Sequence, residues 1–274
     1  MVSRFVASHP PVHHPSPKRI LIDHRTQNRP ILITNDDGYD APGLIELAGI
    51  VRRRYPRRRM IVVAPDRQRS ECGHGVTQGR PLRVTRTDED WYSVDALPAD
   101  CVRVALTGIC PEISLVYSGI NAGANLGIDL LCSGTMAAAR EAALRGRHAM
   151  AVSHYRKPGI EPTWDHAGRW LQTTLQEWDQ TVEAALNARA STKLGLLWNV
   201  NLPALDPATE PPTSVICSVD SNSVSDQALY RDGIYRPQID FHNRPRDPGT
   251  DVDRCFAGEL TISRIDPRIV SRCD

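Results

Sequence analysis

Uninterrupted apolar runs recur along the chain: ILIT at 31–34, MIVVAP at 60–65, ISLVYSGI at 113–120, HAMAVSH at 148–154 and LGLLWNVNLP at 194–203. Runs of this length without alternation predict strands buried on both faces, as in a parallel sheet covered by helices. Between the first two runs, PGLIELAGIVRRRY places Leu44, Leu47, Ala48 and Val51 on one helical face, and Pro42 suits a first helical turn. Strand, helix and strand in close succession predict a βαβ unit. PADCVRVALTGI predicts a short helix opening at Pro98. SGTMAAAREAALRG predicts another, with Ser133 as N-cap and Gly146 as stop. From 163 to 186 the chain reads as one long amphipathic helix. Trp164, Ala167, Trp170, Leu171, Leu175, Trp178, Val182 and Ala185 keep steps of three and four along it, a stripe that predicts core packing over a ligand platform. PLRVTR and WYSVDA alternate and predict an antiparallel excursion.

From about residue 217 the pattern changes. Pro, Gly, Asp and Arg crowd short strand-like pieces such as Glu259 to Ile265, and no helical period is visible. The chain therefore divides into residues 1–28, an extension rich in Pro, His and Ser and expected to be poorly ordered; residues 29–216, an α/β core; and residues 217–274, a β-rich extension packed on the core or on a neighbouring subunit.

Composition narrows the function classes. Across 274 residues, 41% are hydrophobic and 24% charged, as in soluble globular proteins, and 33 Lys and Arg balance 32 Asp and Glu. That balance gives no general reason to expect a nucleic-acid partner. No run reaches the length of a membrane span, and the first residues lack the apolar stretch of a secretory signal. The seven cysteines are odd in number and form no C-x-x-C pair, which argues against a zinc site or a disulfide framework and fits a reducing cytoplasm. His13 and His14 are read as part of a solvated tail. The one basic run, RRRYPRRR at 52–59, is read as a solvated helix end, with an RNA or polyphosphate contact as the competing reading.

The candidate chemistry lies where strands end. Strand one runs into Asn35-Asp36-Asp37-Gly38, strand two into APDRQRS with Ser70, and a later strand into SGINAGAN with Asn121 and Asn125. In an open parallel sheet, ligands bind outside the carboxyl ends of strands. Adjacent strand side chains point to opposite faces, so Asp36 and Asp37 converge only if the chain turns at Gly38. Two carboxylates with Ser and Asn oxygens form a hard-oxygen set suited to Mg²⁺, Mn²⁺ or Ca²⁺ rather than zinc. Alone, the Asp pair is equally a turn or a cap; matching loops on distant strands favour the site. Ser133, Gly134 and Thr135 open a helix, where free N–H groups and hydroxyls attract an anion. An anion site beside a hard metal site points to phosphate. His74 lies in the nearby SECGHGVT loop, either solvated or touching substrate. No G-x-x-x-x-G-K-[ST], G-x-G-x-x-G or G-x-S-x-G motif is present.

In this order, ILITNDDGYDAPG, VVAPDRQRS, PADCVRVAL, SGINAGANLG, SGTMAAAREA and NVNLP resemble the survival protein SurE family over about residues 30–266. The GTDVDRCFAGELTISRIDP segment resembles the family's C-terminal part, in which a Thr-Asp pair precedes a final strand. The resemblance implies a Rossmann-like α/β fold, mostly parallel and flanked by helices, with a C-terminal extension exchanged between subunits of a homodimer or homotetramer. It implies metal-dependent hydrolysis of nucleoside 5'- and 3'-monophosphates, with one divalent ion, Mg²⁺ or Mn²⁺, held by Asp36, Asp37, Ser70 and Asn121. On this reading Asp36 and Asp37 are catalytic, and Asn125, Ser133, Gly134 and Thr135 bind the phosphate. Two departures stand out: Leu97 occupies the family's usual Thr position before Pro98, and Cys132 its usual Tyr position before Ser133. Both bear on base preference more than on catalysis. The competing function classes are a broad phosphatase or exopolyphosphatase using the same metal, and a non-catalytic nucleotide- or RNA-binding protein using the Arg run.

Overall fold

The structure, a computed structural model, describes residues 28–70, 72–188, 193–222, 228–238 and 240–268. The expectation for the first 27 residues, His13 and His14 included, lies outside these. A nine-stranded sheet runs in the order β3-β4-β2-β1-β5-β6-β7-β11-β8. Its strands are β1 (Ile31–Thr34), β2 (Met60–Pro65), β3 (Val84–Asp88), β4 (Trp91–Val94), β5 (Leu115–Asn121), β6 (His148–His154), β7 (Leu197–Leu202), β8 (Ser214–Ile216) and β11 (Leu260–Arg264). From β4 through β7 every pairing is parallel. β3 closes one edge as an antiparallel hairpin with β4, the predicted excursion.

The apolar runs are strands because both faces are covered. Ile31, Ile33, Val62 and Tyr117 pack with helices α1 (Pro42–Arg54), α4 (Ala167–Trp170) and α5 (Gln172–Asn187). Leu32, Ile61, Val63 and Val116 face the other way, onto α2 (Pro98–Val104) and α3 (Gly134–Leu144). Trp170 and Trp178 are fully buried, as the helical stripe predicts, and Trp178 meets Trp198 edge-on at 5.1 Å. The stripe is not one helix, however. It breaks at Leu171, and Trp164 precedes α4 in a loop, half-buried.

The C-terminal segment departs from a purely β reading. Strands β9 (Ala228–Arg231) and β10 (Ile234–Pro237) form a separate antiparallel hairpin. A short helix, α6 (Asp251–Phe256), follows; six residues are too few to print a helical period. Then β11 enters the main sheet antiparallel to β7 and parallel to β8. The last described strand of the chain is thus part of the core sheet.

The basic run closes α1 as a largely solvated helix end: Arg52, Arg53 and Arg54 form its last turn, and Arg52, Arg53, Arg57 and Arg59 are exposed, although several of the arginines also have partners. Arg53 pairs with Glu46 at 3.0 Å, Arg54 with Asp179 at 2.6 Å and Arg59 with Asp90 at 2.6 Å. Arg58 donates to the Arg29 carbonyl and to Ser114 Oγ, each at 2.7 Å. Asp179 and Ser114 are distant in sequence, so no local pattern announces them.

Candidate active site

The chain leaves β1 for β2 on one side and reaches β5 on the other, so the crevice at the carboxyl ends of β1 and β5 is a switch point. Asn35 shapes the turn there. Its side chain accepts from Gly38 N at 3.3 Å and donates to Gly38 O at 2.8 Å. Gly38 adopts φ +115°, which an L side chain rarely takes. Asp36 turns inward and Asp37 toward the open side: Asp36 is buried and Asp37 half-buried.

Asp36 is pressed against the amino end of α3. Thr135 Oγ1 donates to its carboxylate. A Cβ on Gly134 would lie 2.8 Å from Asp36 Cβ and 2.9 Å from Oδ2, so only glycine permits this approach. Burial pushes the Asp36 carboxyl up to about 6, against the pull of Thr135, and the neighbouring charge of Asp37 adds to the rise. Burial also raises Asp37, partly countered by the Ala122 amide, which donates to its Oδ2 at 3.2 Å.

The other predicted residues arrive through their neighbours. Arg69 N donates to the Asp36 carbonyl at 2.7 Å, which brings exposed Ser70 alongside; Ser70 Oγ accepts from Gln68 at 3.0 Å. Asn121 precedes the Ala122 amide that holds Asp37, and its own Nδ2 donates to Gly123 O at 2.8 Å. Ser133 caps α3 by accepting from Met136 N at 3.1 Å. Asn125 is buried, with Nδ2 on Ser153 Oγ at 2.8 Å. An open cleft of about 390 Å³ lies beside Asp37, lined also by Asp40, Gln68, Ala122 and Trp164.

The donor set fits a hard divalent cation. Two adjacent carboxylates, one desolvated, carry an electrostatic cost that a cation would offset, and the side-chain oxygens of Ser70 and Asn121 are of the right type. Among the described residues no cluster of three His, Cys, Asp or Glu occurs, so the set is one of mixed oxygens rather than a His- or Cys-rich site.

Several residues escape the sequence reading. Asn199 and Asn201 clamp the Asn125 backbone: both donate to its carbonyl, at 2.9 and 3.0 Å, and Asn201 Oδ1 accepts from its N–H at 2.9 Å. Two asparagines spaced by two in an apolar strand were the available signal. Asp251, fully buried, accepts from Gly127 N at 2.9 Å and from Asp220 N at 2.8 Å, tying the C-terminal segment to the same loop. Arg244 reaches Asp129 beside it. His74 is bound to structure rather than solvated: its Nε2 lies 2.9 Å from Glu141. Trp164, half-buried against the core as its spacing suggests, also lines the cleft, with the Arg156 guanidinium 4.1 Å from its ring centre.

Comparison with known proteins converges on one group. Residues 31–226 match the model of the family described as survival protein SurE. A Nostoc protein whose name gives 5'-nucleotidase as a provisional assignment is 40% identical over 238 residues, 86% of this chain and 98% of that one. A 5'-nucleotidase SurE of Neisseria gonorrhoeae is 35% identical over 240 residues, 85% of this chain and 90% of its own. The crystal structure of a SurE protein from Aquifex aeolicus superposes with a TM-score of 0.69 at 27% identity, covering 88% of this chain and 94% of the other.

Proposed function

The chain belongs to the survival protein SurE family, and from that membership we propose that it is a divalent-metal phosphomonoesterase that converts nucleoside 5'- and 3'-monophosphates to nucleoside and phosphate. The relatives named as 5'-nucleotidases support the reaction class. The observation that carries the reading is the buried Asp36 carboxylate seated on the amino end of α3, with an open cleft beside Asp37.

Asp36, Asp37, Ser70 and Asn121 would hold the ion, Mg²⁺ or Mn²⁺. Such an ion, when bound, polarises a phosphoryl oxygen and lowers the pKa of bound water. Asp37, on the open side with a raised pKa, orients the attacking water and accepts its proton. The substrate phosphate lies against the start of α3. There the Gly134 amide and the Ser133 hydroxyl are available as donors to the charge that develops on oxygen. Thr135 spends its hydroxyl and its backbone N–H on Asp36, and so acts at the phosphate site by holding that carboxylate against the start of α3. Asn125 keeps one amide hydrogen for the phosphate while the other holds Ser153. Trp164 gives the cleft a flat wall on which a base can stack.

The β9–β10 hairpin exposes Leu229, Tyr230, Ile234 and Tyr235, at 57%, 75%, 51% and 64%. Such an apolar, unpaired strand pair supports assembly into a homodimer or homotetramer through the C-terminal segment, which light scattering tests directly. No described helix is long and apolar enough to cross a membrane. The six described cysteines are free, in keeping with a cytoplasmic location.

Phosphate release from AMP, GMP and 3'-AMP, with Mg²⁺ or Mn²⁺ and with EDTA, tests the activity. Metal-dependent release from both 5' and 3' substrates is the expected result. Faster release from short polyphosphate than from any nucleotide would favour the exopolyphosphatase reading instead.

A further inference from the structure

The amino ends of the parallel strands carry a second, more enclosed cavity of about 380 Å³, on the opposite edge of the sheet from Asp36. It lies between the starts of β5 and β6, the turn after α1, and the side of α5. Its floor is apolar: Leu115, Val182, Leu186 and Tyr55 line it. Its rim is cationic. Arg54 is already satisfied by Asp179, at 3.0 and 2.6 Å, and that carboxylate also accepts from Tyr55 at 2.5 Å. Arg29, Arg57, Arg58 and Arg147 remain, and none has a carboxylate partner among the described residues.

Arg29 and Arg57 are exposed, but Arg58 and Arg147 are held in place. Arg58 is fixed by its bonds to Arg29 O and Ser114 Oγ. Arg147 donates Nη2 to Pro111 O at 2.9 Å, and its Nε is buried with no acceptor. Burial, and then the charge of Arg29, push the Arg147 guanidinium below its ordinary value. Asp179 is committed to Arg54, so Glu183 is the one rim carboxylate left facing four arginines, and an anion would offset the remaining excess of positive charge. The C-terminus of α1 favours cations within its last turn, but Arg57, Arg58 and Arg147 lie beyond it.

The cavity also limits the anion's shape. Its enclosure suits one small molecule rather than a strand, which needs a groove with successive aromatic platforms. The apolar floor suits a flat, uncharged body. Glu183, the rim carboxylate with no ion pair among the described residues, disfavours a polyanion and offers an acceptor to an amino group. We propose that this cavity binds a small phosphorylated molecule with a flat apolar body, of the nucleoside monophosphate type, independently of metal and of the Asp36–Asp37 edge.

Calorimetric titration of the full chain with AMP in EDTA tests this. The expected result is one AMP per chain. Arg58→Gln/Arg147→Gln should weaken binding by about tenfold or more, since each arginine supplies a charged hydrogen bond. Arg57→Ser should weaken it about threefold, whereas Asp36→Asn should not change it. Arg57 makes no hydrogen bond in the described chain, so this variant carries the test if the double variant does not fold. Adenosine and inorganic phosphate should each bind at least about tenfold more weakly than AMP. Absence of AMP binding in EDTA would overturn the proposal, as would binding lost in Asp36→Asn but kept in the arginine variants. Adenosine or phosphate matching AMP would overturn the ligand class, and so would a single-stranded RNA that displaces AMP at lower concentration.

Discussion

At the carboxyl end of β1, Asp36 and Asp37 stand side by side with no cationic side chain paired to either among the described residues. At the amino ends of the same sheet, Arg29, Arg57, Arg58 and Arg147 ring a cavity with no carboxylate paired to any of them. The two edges share strands, and their openings are similar in size, about 390 and 380 Å³. They differ in how the charge is held. Backbone geometry forces the acidic edge together: the Asn35–Gly38 turn and the Gly134 approach hold Asp36 buried. Long side chains from several segments make up the basic edge, and most keep one face in solvent. A desolvated pair on a rigid turn suits chemistry that needs fixed atoms. A cationic rim assembled from long side chains, two of them held by neutral oxygens, suits reversible binding of an anion.

The largest effects should come from the rigid edge. Asp37→Asn should lower nucleotide hydrolysis by about 10³-fold at saturating metal, with AMP binding in EDTA unchanged. Retained turnover would remove Asp37 from the reaction. Gly134→Ala places a Cβ 2.8 Å from Asp36 Cβ. It should cost about 1–3 kcal/mol in urea unfolding and about 100-fold in turnover, because α3 must move away from the phosphate.

Asp251→Ala tests whether the C-terminal segment holds the acidic edge in shape. It strands the Gly127 and Asp220 amides. Denaturant unfolding should register a loss of about 2–3 kcal/mol, and steady-state kinetics about a tenfold fall in kcat. Full activity in a destabilised protein would separate the two. Trp164→Ala should raise KM for AMP about tenfold and leave kcat within about twofold, consistent with a stacking wall.

The smallest effect is a pH-dependent one. Asp36 has a folded-state value of about 6 against an ordinary 3.8. Its protonation therefore stabilises the fold fully below about pH 4, and that contribution is lost as pH rises through about 6. Above pH 6 the metal-free protein holds a desolvated charge; below it, a metal must displace a proton. Mn²⁺ should accordingly raise the melting temperature by a few degrees more at pH 7.5 than at pH 5. An equal rise at both values would place the ion away from Asp36.

How much of this could be read from the sequence depended on whether the determinants were local. The run Ile31–Thr34, the turn at Gly38 and the Ser133 cap announce themselves because composition and spacing within a few residues decide them. The Asp pair was legible as a candidate for the same reason. Trp164 packs against the core as its spacing suggests but lies outside the helix, because a helical period cannot tell a residue just before a helix from one inside it. The Arg run was legible as an exposed helix end but its partners were not, because Asp179, Asp90 and Ser114 reach it only through the folded sheet. Asp251 looked like one member of a Thr-Asp pair; its bond to Gly127 spans 124 residues and exists only once α6 docks. The C-terminal return of β11 beside β7 is likewise non-local, and pairing of that kind leaves no periodic trace.

The central claim is that a carboxylate kept at a cost to the fold is kept for catalysis. Asp36→Asn addresses it most directly, measured as AMP turnover with saturating Mn²⁺ at pH 7.5 on protein whose melting is recorded in EDTA. The variant should be more stable in EDTA by about 1–3 kcal/mol, because the buried charge is gone, and at least about 10³-fold slower in turnover. A variant that hydrolyses AMP at the wild-type rate would contradict that claim.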